Sequence, residues 1–147
     1  MLTCSYEHTT SLWGRISERQ REIKRKAKDI VRAVSEGKEE VMTTVVHLSE
    51  ISNILKMEML LGELYDFLIG LYSRDNVLIA DVRSSDYLMA VELMDELNMD
   101  PNDCLAVAIM RRNNIGEIYT FDKGFDEVEG IKRLPPNHPK ISLAPQM

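Results

Sequence analysis

Apolar residues recur along this chain in two alternating patterns, one with a helical spacing of three or four residues and one of short continuous runs. The continuous runs are rich in valine and isoleucine, a composition typical of buried strands. The stretches between them carry apolar residues at helical intervals and begin or end at capping residues such as Ser17, Gly37 and Asn98. In chain order the pattern predicts a helix at 17–35, a strand at 41–46, helices at 48–55 and 62–72, a strand at 77–80, a helix that begins at Ser84 or Ser85 and ends at Asn98, a helix at 101–112, and strands at 117–121 and 131–134.

The most informative stretch is residues 99–125. Asp100 suits the N-cap of a helix and Pro101 its first position. Residues 104–110 are all apolar, which predicts a helix that is buried nearly all round. A short strand follows and ends on Asp122. A buried helix beside a buried strand is typical of a parallel α/β sheet.

The alternation of strands and helices predicts the fold class α/β, as a three-layer α/β/α arrangement with a mainly parallel central sheet. At this length we expect one domain, spanning residues 1–134. Residues 135–147 hold four of the five prolines, and we interpret them as a C-terminal tail without regular structure.

Composition places the protein among ordinary soluble domains, with 44% hydrophobic and 29% charged residues. No apolar run is long enough to span a bilayer, and the two cysteines show no metal-binding or redox spacing, so we expect a cytoplasmic protein that does not contact membranes. The net charge of −6 argues against unselective coating of nucleic acid. Between Arg15 and Ala33, however, there are eight basic and three acidic residues. One basic helix on an acidic body is a candidate binding surface.

Three acidic residues are expected to meet at one edge of the sheet. Asp122 ends a strand, whereas Asp103 and Glu50 lie in the first turns of helices that follow strands or turns at that edge. Gathered carboxylates repel one another unless a cation lies between them. Oxygen ligands without histidine or cysteine favour Mg²⁺ or Mn²⁺, ions that suit phosphodiester hydrolysis. Thr120 and Asn102 are candidates for supporting roles.

Each of these residues also has a purely structural interpretation. Asp103 follows Asp100 by three positions and would complete a capping-box-like helix start. Glu50 would be an ordinary first-turn acid, and Asp122 would begin a turn. Asp81 also ends a strand but is interpreted as structural. His47 has no ligand spacing with the other histidines and is interpreted as a turn or surface residue.

Three segments, in this order, resemble the PIN domain family and in particular its VapC-type toxins: TTVVHLSEISNIL at 43–55, MDPNDCLAVAIM at 99–110 and YTFDKGF at 119–125. In that family a metal-binding glutamate lies where Glu50 lies, and metal-binding aspartates match Asp103 and Asp122. The resemblance covers roughly residues 41–135. It implies a PIN-like fold, a ribonuclease that depends on Mg²⁺ or Mn²⁺, a homodimer, and pairing with a small antitoxin protein.

The chain departs from the family pattern near its beginning. Family members start with a central strand that runs into an aspartate, whereas here no aspartate precedes Asp29, within the basic helix. Two expectations stay open. Either the sequence starts after that strand, or the chain is a divergent member whose metal site and activity are impaired.

The leading hypothesis is therefore a metal-dependent endoribonuclease in which Glu50, Asp103 and Asp122 hold the metal. The alternative is a catalytically impaired PIN-like module that binds RNA or a protein partner through the basic helix 15–32. A phosphoacceptor receiver domain is disfavoured because the paired acids after a first strand are absent and the Thr–Lys spacing is too short. The candidate RNA- or partner-binding residues are Arg15, Arg19, Lys24, Arg25 and Lys28.

Overall fold

The computed structural model describes Met1, residues 18–120 and residues 122–134; of residues 18–24, 26 and 27 it describes the backbone only. The tail predicted at 135–147 and the candidate residue Arg15 lie outside the described residues, so these predictions are untested.

The element order follows the predicted alternation of helices and strands. Helices and strands are, in order, α1 Glu18–Ser35, β1 Val41–Thr44, α2 Val45–Leu55, α3 Leu61–Tyr72, β2 Val77–Ala80, α4 Ser84–Leu97, α5 Pro101–Arg112, β3 Glu117–Tyr119 and β4 Lys132–Leu134, with a 3₁₀ helix at Lys123–Glu127 before the last strand. The 3₁₀ helix is the one described element that the apolar pattern did not predict.

All described strand pairs are parallel, which confirms the α/β class. β1 pairs with β2, and β3 pairs with β4. Within the described part of the chain these are two separate two-stranded ladders rather than one continuous sheet. Met1 extends the second ladder by one residue: its ammonium group donates to the Glu117 carbonyl (2.9 Å) and its carbonyl accepts from the Tyr119 N–H (2.9 Å). Met1 therefore lies opposite Ile118, on the edge of β3 that β4 does not use.

The core is organised around α5, as its uninterrupted apolar sequence predicts. Seven of its twelve residues are buried, among them Leu105, Ala106 and Val107 with no exposed surface. Ala90 of α4 and Phe125 of the 3₁₀ helix pack into the same cluster. Asp103 is the one charged residue among the seven, so its carboxyl group lies at the border of a hydrocarbon interior.

The strand predicted at 117–121 ends at Tyr119, so β3 does not run as far as Asp122. Two other predicted boundaries are wrong for local reasons. The strand predicted at 41–46 ends at Thr44 because the Thr44 hydroxyl accepts a hydrogen bond from the His47 N–H (3.3 Å) and caps α2. The N-cap of α4 is Arg83, not Ser84 or Ser85, because the Asp86 carboxylate accepts the Arg83 N–H (2.8 Å).

Across the part of the chain that is described, no helix combines the length and apolar character needed to cross a bilayer.

Candidate functional site

The acidic neighbourhood is centred on Asp103, in the first turn of α5. Asp103 is 6% exposed. Burial, then the negative charges of Asp122, Glu50 and Asp100, and a hydrogen bond to the Asp122 side chain raise the pKa of Asp103 to about 7. The Asp103 carboxyl group is therefore partly protonated near pH 7. The structure brings the three predicted acids into one electrostatic neighbourhood.

Asp122 is held by the turn that follows β3. Its N–H donates to the Thr120 hydroxyl (3.1 Å), and its Oδ1 accepts from the Gly124 N–H (2.8 Å). A Cβ atom at position 124 would lie 3.1 Å from that same oxygen, a tighter contact than nine in ten real Cβ contacts. Glycine therefore lets the backbone N–H approach and fix the Asp122 carboxylate. Thr120, 2% exposed, supports the turn through its hydroxyl.

Glu50 lies on the second turn of α2 and reaches α5 through Asn102. The Asn102 side-chain amide donates to Glu50 Oε1 at 2.7 Å. A carboxylate can only accept, so the amide nitrogen faces it. This contact joins residues 52 positions apart in the sequence and places Glu50 beside the N-terminus of α5.

The three acids adjoin but do not form a finished metal site. Over Met1, residues 18–120 and residues 122–134, no group of three or more histidine, cysteine, aspartate or glutamate side chains is arranged to hold a metal ion. The role of Glu50, Asp103 and Asp122 as metal ligands thus stays a prediction.

Asp81 does not belong to this neighbourhood. Asp81 is exposed, and its backbone carbonyl accepts a hydrogen bond from Arg112 (3.2 Å). Arg112 lies at the C-terminal end of α5, whereas Asp103 lies at the N-terminal end. From Asp103 to Arg112 the helix rises about 13 Å. An open cleft of about 400 Å³ lies at that far end, lined by Asp81, Arg83 and Arg112 among others. The cleft and the acidic neighbourhood are therefore different places.

His47 contradicts its interpretation as a turn or surface residue. It has no exposed surface. Its Nδ1 lies 2.7 Å from the Thr44 hydroxyl and its Nε2 lies 3.0 Å from the Asn102 carbonyl. Burial is the main cause that lowers its pKa, so the ring is neutral. One sequence feature could have indicated this position. Thr44 precedes His47 by three residues, the spacing at which an N-cap side chain accepts a backbone N–H of the helix.

The structural interpretation of Asp103 as half of a capping box also fails. The N-cap of α5 is Asp100 and Pro101 is at its first position, as predicted, but the Asp100 side chain makes no capping hydrogen bond within the described residues. The Asp103 carboxyl group instead meets Asp122. Its orientation is set by tertiary contacts.

The basic helix predicted at 15–32 is α1. Arg25, Lys28 and Arg32 are exposed and share one face at spacings of three and four residues. Arg19 and Lys24 lie within α1, but their side chains are outside the described part. The exposed residues form a solvated basic face, as expected of such a charge run.

Comparison with known proteins adds a family. A family model described as PIN domain matches residues 10–131. No curated protein matches this chain. The matched region includes β1, β2, β3, α5 and all three predicted acids. Because the match covers most of the sequence and the structure is α/β with parallel strands, the chain belongs to the PIN domain family, whose fold is of the nuclease type.

Proposed function

We propose that this protein is a divalent-metal-dependent endoribonuclease of the VapC toxin type, which hydrolyses RNA phosphodiester bonds. The observation that carries the proposal is the convergence of three acids at the N-terminus of α5: Asp103 is 6% exposed, Asp122 adjoins it, and Glu50 is held there by Asn102. Buried carboxyl groups that perturb one another are costly to folding and are typical of functional sites. Membership of a family with a nuclease-type fold supports a hydrolytic role for these carboxyl groups.

The donor chemistry fits Mg²⁺ or Mn²⁺. Glu50, Asp103 and Asp122 offer only oxygen atoms, which these ions prefer. Burial and then repulsion between the acids raise the Asp103 pKa, and a cation among them would offset the repulsion. Bound there, such an ion would polarise a phosphoryl oxygen and lower the pKa of a water molecule. Asp103 must release its proton before its carboxylate can bind a cation, so we expect binding to strengthen as pH rises through 7.

Partners follow from the same proposal. Besides RNA, we expect a small antitoxin and a homodimer. The outer face of α3 supports contact with another protein, because Leu61, Tyr65, Ile69 and Tyr72 recur at helical spacing and are 83%, 64%, 48% and 58% exposed. Exposed apolar surface of this kind is uncommon on a monomer. In the homodimer that we expect, a second copy of the chain would cover this face.

The exposed basic face of α1 favours a second candidate function. Arg25, Lys28 and Arg32 would hold RNA phosphates or an acidic protein segment on a PIN-like module that does not cleave. Such binding would weaken steeply with salt and would not depend on a divalent cation.

The test is cleavage of a fluorescently labelled single-stranded RNA with Mg²⁺ or Mn²⁺ and with EDTA. We expect Glu50→Gln and Asp122→Asn to lower the rate about 100-fold or more, since each removes one anionic ligand from transition-state stabilisation worth several kcal/mol. Asp81→Asn is the matched control, because it neutralises an exposed carboxylate that directly follows a strand and lies outside the acidic neighbourhood. It should stay within about twofold of wild type.

Three results would decide against the enzyme: cleavage that survives Glu50→Gln and Asp122→Asn, cleavage unaffected by EDTA, or equal losses in Asp81→Asn. Tight RNA binding without cleavage, insensitive to EDTA and lost on reversing the charges of Arg25 and Lys28, would select the second function.

A further inference from the structure

A continuous chain of hydrogen bonds runs from β1 to the predicted ligand Glu50 and passes through two residues that have no part in the chemistry proposed above. Its members are Thr44, His47, Asn102 and Glu50. The links are Thr44 Oγ1 to His47 Nδ1 (2.7 Å), His47 Nε2 to the Asn102 carbonyl (3.0 Å), and Asn102 Nδ2 to Glu50 Oε1 (2.7 Å).

The direction of each bond can be assigned. The Asn102 carbonyl oxygen can only accept, so His47 carries its proton on Nε2. Nδ1 is then an acceptor, and the Thr44 hydroxyl donates to it. The same hydroxyl oxygen accepts the His47 N–H as the cap of α2. His47 is therefore held in one tautomer and one orientation, inside a site with no exposed surface.

Asn102 is consequently attached to α2 at two points. Its backbone carbonyl accepts a hydrogen bond from the His47 ring, and its side-chain amide donates one to Glu50, three residues further along the same helix. Asn102 precedes Asp103 in the first turn of α5. Two attachments to one residue fix the first turn of α5 against α2, and so fix Asp103 relative to Glu50.

The chemistry of the donor matters as much as its position. An amide orients the Glu50 carboxylate without cancelling its charge, whereas an arginine or lysine in the same place would compete with a cation. Outer contacts of this kind, which orient a ligand that stays anionic, commonly change metal affinity 10- to 100-fold.

We propose that His47 and Asn102 are positioning residues, which hold Glu50 against the N-terminus of α5 so that Glu50 and Asp103 are near enough to take part in binding one divalent cation. The proposal rests on the function proposed above, since it gives Glu50 and Asp103 their role as ligands.

The experiment measures Mn²⁺ binding to the full chain by the electron paramagnetic resonance signal of free Mn²⁺, with thermal melting of each variant in EDTA. Asn102→Ala removes the amide donor but keeps the backbone carbonyl, and should weaken Mn²⁺ binding about 10- to 100-fold. Asn113→Ala is the matched control. It removes an asparagine amide at the other end of α5, where it donates to the Ile109 carbonyl (2.8 Å), and should leave affinity within about threefold of wild type.

His47 is tested by a pair of variants. His47→Gln can still present an N–H toward the Asn102 carbonyl, whereas His47→Leu fills the space without a donor. We expect His47→Gln to bind Mn²⁺ at least about fivefold more tightly than His47→Leu, if the outer contact is worth the usual 10- to 100-fold. Should His47→Leu fail to fold, the comparison of Asn102→Ala with Asn113→Ala decides.

The outcomes separate the two proposals. If wild type binds no Mn²⁺, or Glu50→Gln binds it equally well, the proposed function fails. If Glu50→Gln abolishes binding but Asn102→Ala does not weaken it, or weakens it no more than Asn113→Ala, only the positioning role is overturned. Equal affinities of His47→Gln and His47→Leu would remove His47 from the proposal.

Discussion

Asp86 and Asp103 occupy the same position in two neighbouring helices and have opposite environments. Each is the third residue of its helix, α4 or α5. Asp86 accepts the Arg83 N–H at 2.8 Å and an Arg112 guanidinium N–H at 2.9 Å, and these contacts lower its pKa. For Asp103, burial and then the negative charges of neighbouring carboxyl groups raise the pKa to about 7.

The comparison separates a structural acid from a candidate functional one. Both satisfy the rule that acidic residues favour the first turn of a helix. Asp86 has a cation beside it from the protein's own chain, and so nothing more is needed to balance its charge. Asp103 has anions beside it, and among the described residues the groups that change its pKa are all acidic.

The largest expected difference between the two residues is in metal-linked stability. Mn²⁺ at about 100 times its dissociation constant should stabilise wild type by about 2.7 kcal/mol, which corresponds to a rise in Tm of roughly 5–10 °C. Asp86→Asn should keep this rise, and Asp103→Asn should lose most of it. Thermal melting with Mn²⁺ and with EDTA measures the effect. A full rise in Asp103→Asn would place the cation away from α5.

The next largest effect is that, without metal, the two substitutions should change the stability of the fold in opposite directions. At pH 8 in EDTA, Asp103→Asn should raise the free energy of unfolding by about 1–2 kcal/mol, because it removes a buried charge that its neighbours repel. Asp86→Asn should lower the urea concentration at the midpoint of unfolding, because it weakens the contact with Arg112. Urea denaturation of the three proteins measures both changes. Changes of the same sign in both variants would show that the two environments do not differ as described.

The smallest effect is the pH dependence of stability. Asp103 has an ordinary pKa of 3.8 and a folded value of about 7, so the folded state keeps a proton that the unfolded chain has released. The free energy of unfolding due to Asp103 therefore falls as pH rises from about 4 to 7 and is level above 7. The lowered pKa of Asp86 acts in the opposite sense: its contribution is present above about pH 4 and is lost as pH falls through the folded pKa.

Urea denaturation of wild type and Asp103→Asn in EDTA, from pH 4.5 to 8, isolates the Asp103 contribution as a difference. The advantage of Asp103→Asn should grow with pH up to about 7 and then stay constant. A difference independent of pH would mean that Asp103 is ionised throughout.

Much of the fold was predictable because it depends on signals close together in sequence. β2 was predicted with its observed bounds, and α5 begins at Pro101 after an Asp100 N-cap as expected. The family was predictable too, since the ordered motifs around Glu50, Asp103 and Asp122 fall within the matched region.

What could not be predicted depends on tertiary contacts. The burial of His47 follows from α2 and α5 meeting, and its Nε2 partner is 55 residues away. The Asn102 amide was a candidate without a partner until the structure showed Glu50 beside it. The division of the described strands into two ladders likewise has no local signal.

The packing of α5 has a mechanical consequence for the whole domain. Cys104, Leu105, Ala106 and Val107 have no exposed surface, so the helix cannot turn about its axis or slide without opening voids. Its two ends, one at the acidic neighbourhood and one at Arg112, are thereby tied together. A larger side chain at Ala106 would therefore be expected to shift both ends of α5. The identity of this buried residue is constrained by the acidic neighbourhood even though it lies well away from it.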